Sequence, residues 1–147
     1  MAGAEPVAAE RAMTRPLSDR DYQALARFRY ALRSFQRFSE EAARDAGLTP
    51  AQHQLLLAVR GWDGDGPPTV SDLAERLQQK LHSTTELVTR AESNGLVSRT
   101  VDPTDHRKVL LVLTDDGASK LAELTLEHRE ELRRFRTELT SLLDALD

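Results

Sequence analysis

The spacing of apolar side chains divides the chain into stretches of different period. From Ser18 no proline or glycine occurs until Gly47, and Leu25, Phe28, Leu32, Phe35, Ser39, Ala42 and Ala46 recur at alternating steps of three and four. That period predicts a long helix with these residues on one buried stripe and Arg27, Arg33, Arg37 and Arg44 off it. Ser18 with Asp21 three residues on is a capping pair, and Gly47 is a stop. Thr49-Pro50-Ala51-Gln52 restarts a helix: Thr49 as cap, Pro50 where its missing donor is harmless, and Gln52 as the reciprocal partner. This second helix carries Leu55, Leu56 and Val59 and is expected to run to about Trp62.

Glycine, aspartate and proline over 61–68 predict a loop. A calcium loop counted from Asp63 would need a carboxylate at position 74, which is Ala74. Thr69 with Asp72 caps a short helix over 70–77, and another runs over 81–94 to Gly95, which closes it. Two helices joined by so short a turn form a helix-turn-helix. The β-branched and apolar segments 96–101 and 109–113 flank turn residues and charges at 102–108, which reads as an antiparallel hairpin with a basic tip, a wing. Thr114 caps a last helical region in which Ala118, Leu121, Thr125, His128, Leu132, Phe135, Leu139, Leu142 and Leu146 form a heptad-like seam, weakened at Thr125 and His128. The seam can pack on the chain's own first helix or across a symmetric dimer. Two long apolar stripes outside a compact module favour the dimer.

The expected fold is therefore mainly α with a small antiparallel β wing, a winged helix-turn-helix whose N- and C-terminal helices form a dimerisation region. The expected divisions are a flexible tail at 1–17, a dimerisation helix at 18–47, the winged module at 48–114 and C-terminal dimerisation helices at 115–147. With 147 residues the chain is one domain or two tightly joined halves, and its seven aromatics leave most of the packing to leucine and alanine. The absence of cysteine removes disulfides, thiolate metal sites and thiol redox sensing from this sequence. No apolar run reaches the length of a membrane span, and residues 1–16 lack the apolar centre of a secretory signal, so a cytoplasmic protein is expected.

Charge changes the picture through its distribution. The net charge is −4, yet residues 1–68 carry 9 basic and 9 acidic side chains, residues 69–114 carry 6 and 6, and residues 115–147 carry 5 and 9. The acidic excess lies entirely in the last segment, which leaves the middle free to present a local basic surface.

In the helix over 81–94, Thr84, Leu87, Val88 and Ala91 share a stripe that can close on Leu73 and Leu77. His82, Thr85, Glu86 and Thr89 then face outward. Small hydroxyl side chains let a helix lie deep in a major groove, where Thr85 and Thr89 can meet base edges or phosphates, and Lys80 or His82 near the helix start can reach a phosphate or a guanine. A merely solvated face would also be polar. Ser83 and Arg90 lie on the flank, where Arg90 suits a phosphate, and Glu86 can accept from a cytosine amine or repel phosphates. At the wing tip His106, Arg107 and Lys108 are adjacent donors on a projecting loop that can enter a minor groove, although Asp105 can also pair with Arg107 within the turn. Arg99 on the wing's first strand completes the candidate DNA-contacting set.

Residues 48–117 resemble the MarR family of bacterial winged-helix regulators. The pattern runs from Leu48-Thr49 through Gln52 and Leu55-Leu56 to the stretch Val70 to Leu77, then Ser83-Thr84, Leu87 to Glu92 and Asn94-Gly95-Leu96-Val97. It ends in Asp105-His106-Arg107 and Leu113 to Gly117. The resemblance implies a homodimer with interlocking terminal helices, the helix from Leu81 in the major groove and Arg107 in the minor groove of a pseudo-palindromic double-stranded DNA operator. It further implies a transcription regulator, expected to be a repressor, that a small, often aromatic, effector releases. Glu86 stands where many members have Arg and Ala91 where many have Leu, so base preference does not carry over. Arg27, Tyr30, His53 and Trp62 are the candidate effector residues, supplying an anion partner and stacking surfaces; ordinary packing or an exposed charge is the other reading of each.

No catalytic site, cofactor or metal is expected. His53, His82, His106 and His128 include no pair at metal-ligand spacing, no glycine-rich phosphate loop follows a strand, and no serine-centred elbow occurs. Asp115-Asp116 and Glu130-Glu131 suit helix-dipole and solvation roles. The competing reading is a winged-helix module used only for protein association; the three donors of the wing argue against it.

Overall fold

Capping chemistry sets the helix boundaries in the computed structural model, which describes residues 15–146. The expected tail at 1–17 lies almost wholly outside the described residues. Helix α1 spans Asp19–Asp45, and its first turn is held by Asp21, whose carboxylate accepts the Ser18 backbone N–H at 2.9 Å and the Arg15 guanidinium at 2.6 Å. These two donors hold the Asp21 carboxyl below the usual carboxylate range. Gly47, at φ +82°, turns the chain out of α1, and Leu48 N–H returns to the Ala43 carbonyl at 2.9 Å.

Reciprocal boxes open the next two helices. In α2, Pro50–Arg60, Thr49 and Gln52 exchange bonds of 3.1 Å each; in α3, Val70–Arg76, Thr69 and Asp72 do so at 2.9 and 3.2 Å. Helix α4, Leu81–Ser93, follows after a turn at Leu77 to Lys80 in which Gln78 adopts φ +55°. Strands β1, Val97–Val101, and β2, Val109–Leu113, pair antiparallel with Val97 opposite Leu113 and Val101 opposite Val109. A further bridge joins Thr69 to Leu110, and Leu111 N–H donates to the Pro68 carbonyl at 2.9 Å. The wing is thereby fastened to the entry of α3.

The last region is one continuous helix, α5, Asp115–Leu146. Thr114 positions it: its hydroxyl donates to the Gly95 carbonyl at 2.6 Å and accepts Gly117 N–H at 3.0 Å. A Cβ at Gly117 would collide with the Leu96 carbonyl oxygen, so only glycine permits this approach of α5 to the start of the wing.

The core is built from Leu55, Leu56, Leu73, Val88, Leu96, Leu111 and Leu124, with Ala42 and Ala43 closing it from α1. Helix α5 packs along α1 of the same chain. Near its start the buried stripe of α1 runs through Asp21 and Ala24, whereas Leu25, expected inside, is 52% exposed. On α5, Leu124 is buried where the seam reading favoured its neighbour Thr125, which is exposed. Both shifts have one cause: a long helix meets its neighbours along part of its length, and the stripe follows the contact rather than an ideal period. Tyr22, Leu25 and Tyr30 of α1 and Leu126, Leu132 and Leu143 of α5 remain uncovered.

Candidate nucleic-acid interface

Helix α4 buries Thr84, Val88 and Ala91 and leaves His82, Thr85, Glu86 and Thr89 exposed, as the spacing predicts. The hydroxyls of Thr85 and Thr89 donate back to the carbonyls of Leu81 and Thr85, each at 2.9 Å. With the proton directed inward, the Thr85 oxygen presents lone pairs and each side chain a methyl to the outside. Such a face accepts from the exocyclic amines of adenine and cytosine and packs on thymine methyls. His82 Nε2 lies 3.3 Å from Glu86 Oε1, one turn away on the same face. Lys80, Ser83 and Arg90 are exposed beside it.

Arg99 lies at the junction of wing and helix rather than reaching outward. Its Nη2 donates to Thr89 Oγ1 at 3.0 Å and its Nε lies 3.5 Å from Glu92 Oε2. At the wing tip the Asp102 carboxylate accepts Thr104 N–H and Thr104 hydroxyl at 2.8 Å each and Asp105 N–H at 3.3 Å. These donors, the Thr104 backbone first, hold the Asp102 carboxyl below its ordinary range. The ordered turn presents His106, Arg107 and Lys108 to solvent. The Arg107 side chain is 92% exposed, and its Nε rests 3.2 Å from Asp105 Oδ1, the pairing within the turn weighed from sequence. An ion pair so exposed is weak enough to yield to a phosphate or a groove.

The four candidate effector residues do not converge. Arg27 and Tyr30 line a cavity of about 220 Å³ between α1 and α5. Trp62 lies in another beside Pro67 and Leu113, with the Arg76 guanidinium 4.8 Å from its ring and Asp63 3.1 Å from Arg76. His53 lines a third, about 520 Å³, walled by Phe35, Leu57 and Leu132 and rimmed by Arg129, Arg133 and Arg136. Spacing along the chain did not single out Phe35, His128 or these arginines for this cavity. The signals were Thr125 and His128, polar residues interrupting an apolar seam. His53 and His128 pack with ring centroids 4.8 Å apart.

A helix pair with an exposed polar face and an adjoining basic-tipped ribbon define this protein as a winged helix-turn-helix. The sequence profile of the MarR family matches residues 46–108. The chain is 32% identical over 100 residues to the HTH-type transcriptional repressor MdtR of Bacillus subtilis, an alignment covering 68% of this chain and 63% of that protein. It is 30% identical over 109 residues to the organic hydroperoxide resistance transcriptional regulator of the same organism, covering 67% of this chain and 72% of the relative. Among solved structures, AbsC of Streptomyces coelicolor, a MarR family transcriptional regulator, superposes with a TM-score of 0.68 at 27% identity, over 91% of this chain and 94% of that one. The chain belongs to the MarR family, and the relatives it matches are named as transcriptional regulators rather than enzymes. Among the described residues no helix is long and apolar enough to cross a membrane.

Proposed function

We propose that this protein is a homodimeric, sequence-specific DNA-binding transcription regulator that acts as a repressor. Residues 48–114 form its reading head and the helices over 18–47 and 115–147 its dimerisation region. The observation that carries this reading is the continuity of α4 with the wing: the groove-facing hydroxyl of Thr89 is bonded to Arg99 of β1, so helix and ribbon offer one contact surface. Thr85, His82 and Glu86 read base edges, Lys80, Ser83 and Arg90 hold phosphates, and His106, Arg107 and Lys108 enter the adjacent minor groove. The uncovered Tyr22, Leu25, Tyr30 and Leu143 supply the apolar surface for a second copy. Two copies set their heads about 34 Å apart, one helical turn of DNA. Repression is supported by the similarity to MdtR, a transcriptional repressor.

Release by a small ligand is supported by the cavity at His53, which lies between the winged module and the helix pair. A body held against Phe35 and Leu57, with an acidic group at Arg129 or Arg136, would change the tilt of the head. Selection of binding sites from random DNA tests the proposal. An enriched motif with inverted symmetry, bound by two chains, is expected; no enrichment would contradict it and leave a protein-association module.

A further inference from the structure

Three parts of the chain meet at one buried cluster. His53 stands on α2 of the winged module, while His128 on α5 and Ser39 on α1 belong to the helix pair. The two histidines are 3% and 9% exposed. His128 Nδ1 lies 2.7 Å from the Leu124 carbonyl oxygen, which only accepts, so this nitrogen carries the ring proton. Its Nε2, 2.8 Å from Ser39 Oγ, is then the lone-pair side and accepts the serine proton. The neutral His128 ring is fully satisfied. His53 Nδ1, in contrast, is buried with no hydrogen-bond partner among the described residues. A proton placed there would be a buried donor, or a buried charge, without an acceptor.

The surroundings offer such a proton nothing. From α1 the cluster meets Phe35, Phe38 and Ser39, and from α2 Gln54 and Leu57, all uncharged. From α5 come the cationic Arg129, Arg133 and Arg136, of which Arg133 is paired with Glu130 at 2.9 Å. Among the described residues no carboxylate lines this cavity. Burial first, and His128 beside it second, hold His53 below the ordinary imidazole range.

We propose that the His53–His128 contact is a proton-operated joint between the winged module and the helix pair, closed while the His53 ring is neutral and opened when it takes a proton and turns toward water. Its consequence for DNA rests on the function proposed above, because opening changes how the reading heads are held. The closed state binds a proton less readily than the open one. Its advantage is therefore complete above the free imidazole value of about 6.5, begins to fall as the pH drops below that value and is fully lost below the lowered value of His53.

Because the chain has no cysteine, Glu75→Cys on α3 and Glu127→Cys on α5, both exposed, give two unique sites for nitroxide labels. The labelled full-length protein, diluted into unlabelled protein, is compared at about pH 8 and about pH 5.5, with His53 present and in a His53→Phe background. His53→Gln replaces the latter if the phenylalanine variant does not fold. The label separation is expected to change with pH only where His53 is present. In parallel, affinity for a selected DNA site is measured in both backgrounds, and the ratio between the two is read. That ratio is expected to change by about threefold or more, to the disadvantage of the native chain in acid. An unchanged separation in the folded native chain, an equal change in both backgrounds, or a flat affinity ratio would overturn the proposal. If neither background binds selected DNA at any pH, the proposed function falls and the separation alone decides the joint.

Discussion

The guanidinium of Arg99 donates to the hydroxyl of Thr89 at 3.0 Å, bonding the first strand of the wing to the exposed face of α4. Glu92, 3.5 Å from the same guanidinium, occupies its charge. Arg99→Ala is therefore expected to weaken binding to a specific site by about 3- to 10-fold through loss of alignment, with no change in the slope of log K against log salt, because no phosphate contact is lost. Titrations at several salt concentrations check this; a slope reduced by about one unit would make Arg99 a phosphate contact.

Arg107 should behave in the opposite way. Among the described residues its side chain is held by one exposed pairing, with Asp105, and it can neutralise DNA charge. Arg107→Ala is expected to weaken binding to specific and scrambled DNA and to lower the salt slope by about 0.9. Unchanged affinity with an unchanged slope would remove Arg107 from the interface.

Thr85 presents lone pairs outward because its proton goes to the Leu81 carbonyl. Thr85→Val keeps the shape and the methyl and removes the acceptor. The expected result is a change of about 3- to 10-fold in preference at one base position, with affinity for scrambled DNA held within about twofold. Binding to a panel of single-base variants distinguishes this from a uniform loss, which would assign Thr85 to backbone positioning.

Gly117 sets how closely α5 approaches the wing. Gly117→Ala drives a Cβ into the Leu96 carbonyl oxygen and is expected to destabilise the fold by about 1–3 kcal/mol, despite the better helix propensity of alanine. Urea unfolding measures it; a gain in stability would contradict the close approach.

Local chemistry made much of this architecture legible in the sequence. Ser18 with Asp21, Thr49 with Gln52 and Thr69 with Asp72 are partners three residues apart, so the signal for each helix start lies within one turn. The wing was legible because its strands are separated by turn residues, and the outward face of α4 because burial follows the helical period. Contacts without a local period were not. The Thr69–Leu110 bridge joins single residues 41 positions apart, and nothing around either announces the other. His53 and His128 are likewise distant in sequence, and the apolar seam of α5 contains His128 only as a defect. Chemical type alone puts Arg27, Tyr30 and Trp62 with His53, and three dimensions separate them from it into other cavities.

The central claim, that α4 and the wing together read a DNA sequence, is tested most directly by fluorescence anisotropy of the purified protein. The probe is the DNA upstream of its own coding region, with scrambled DNA as competitor, at two salt concentrations. Tight binding that survives the competitor, with two chains per site and weakening as salt rises, is the predicted result. Equal and weak binding to both DNAs, persisting for sites selected from random sequence, would contradict it.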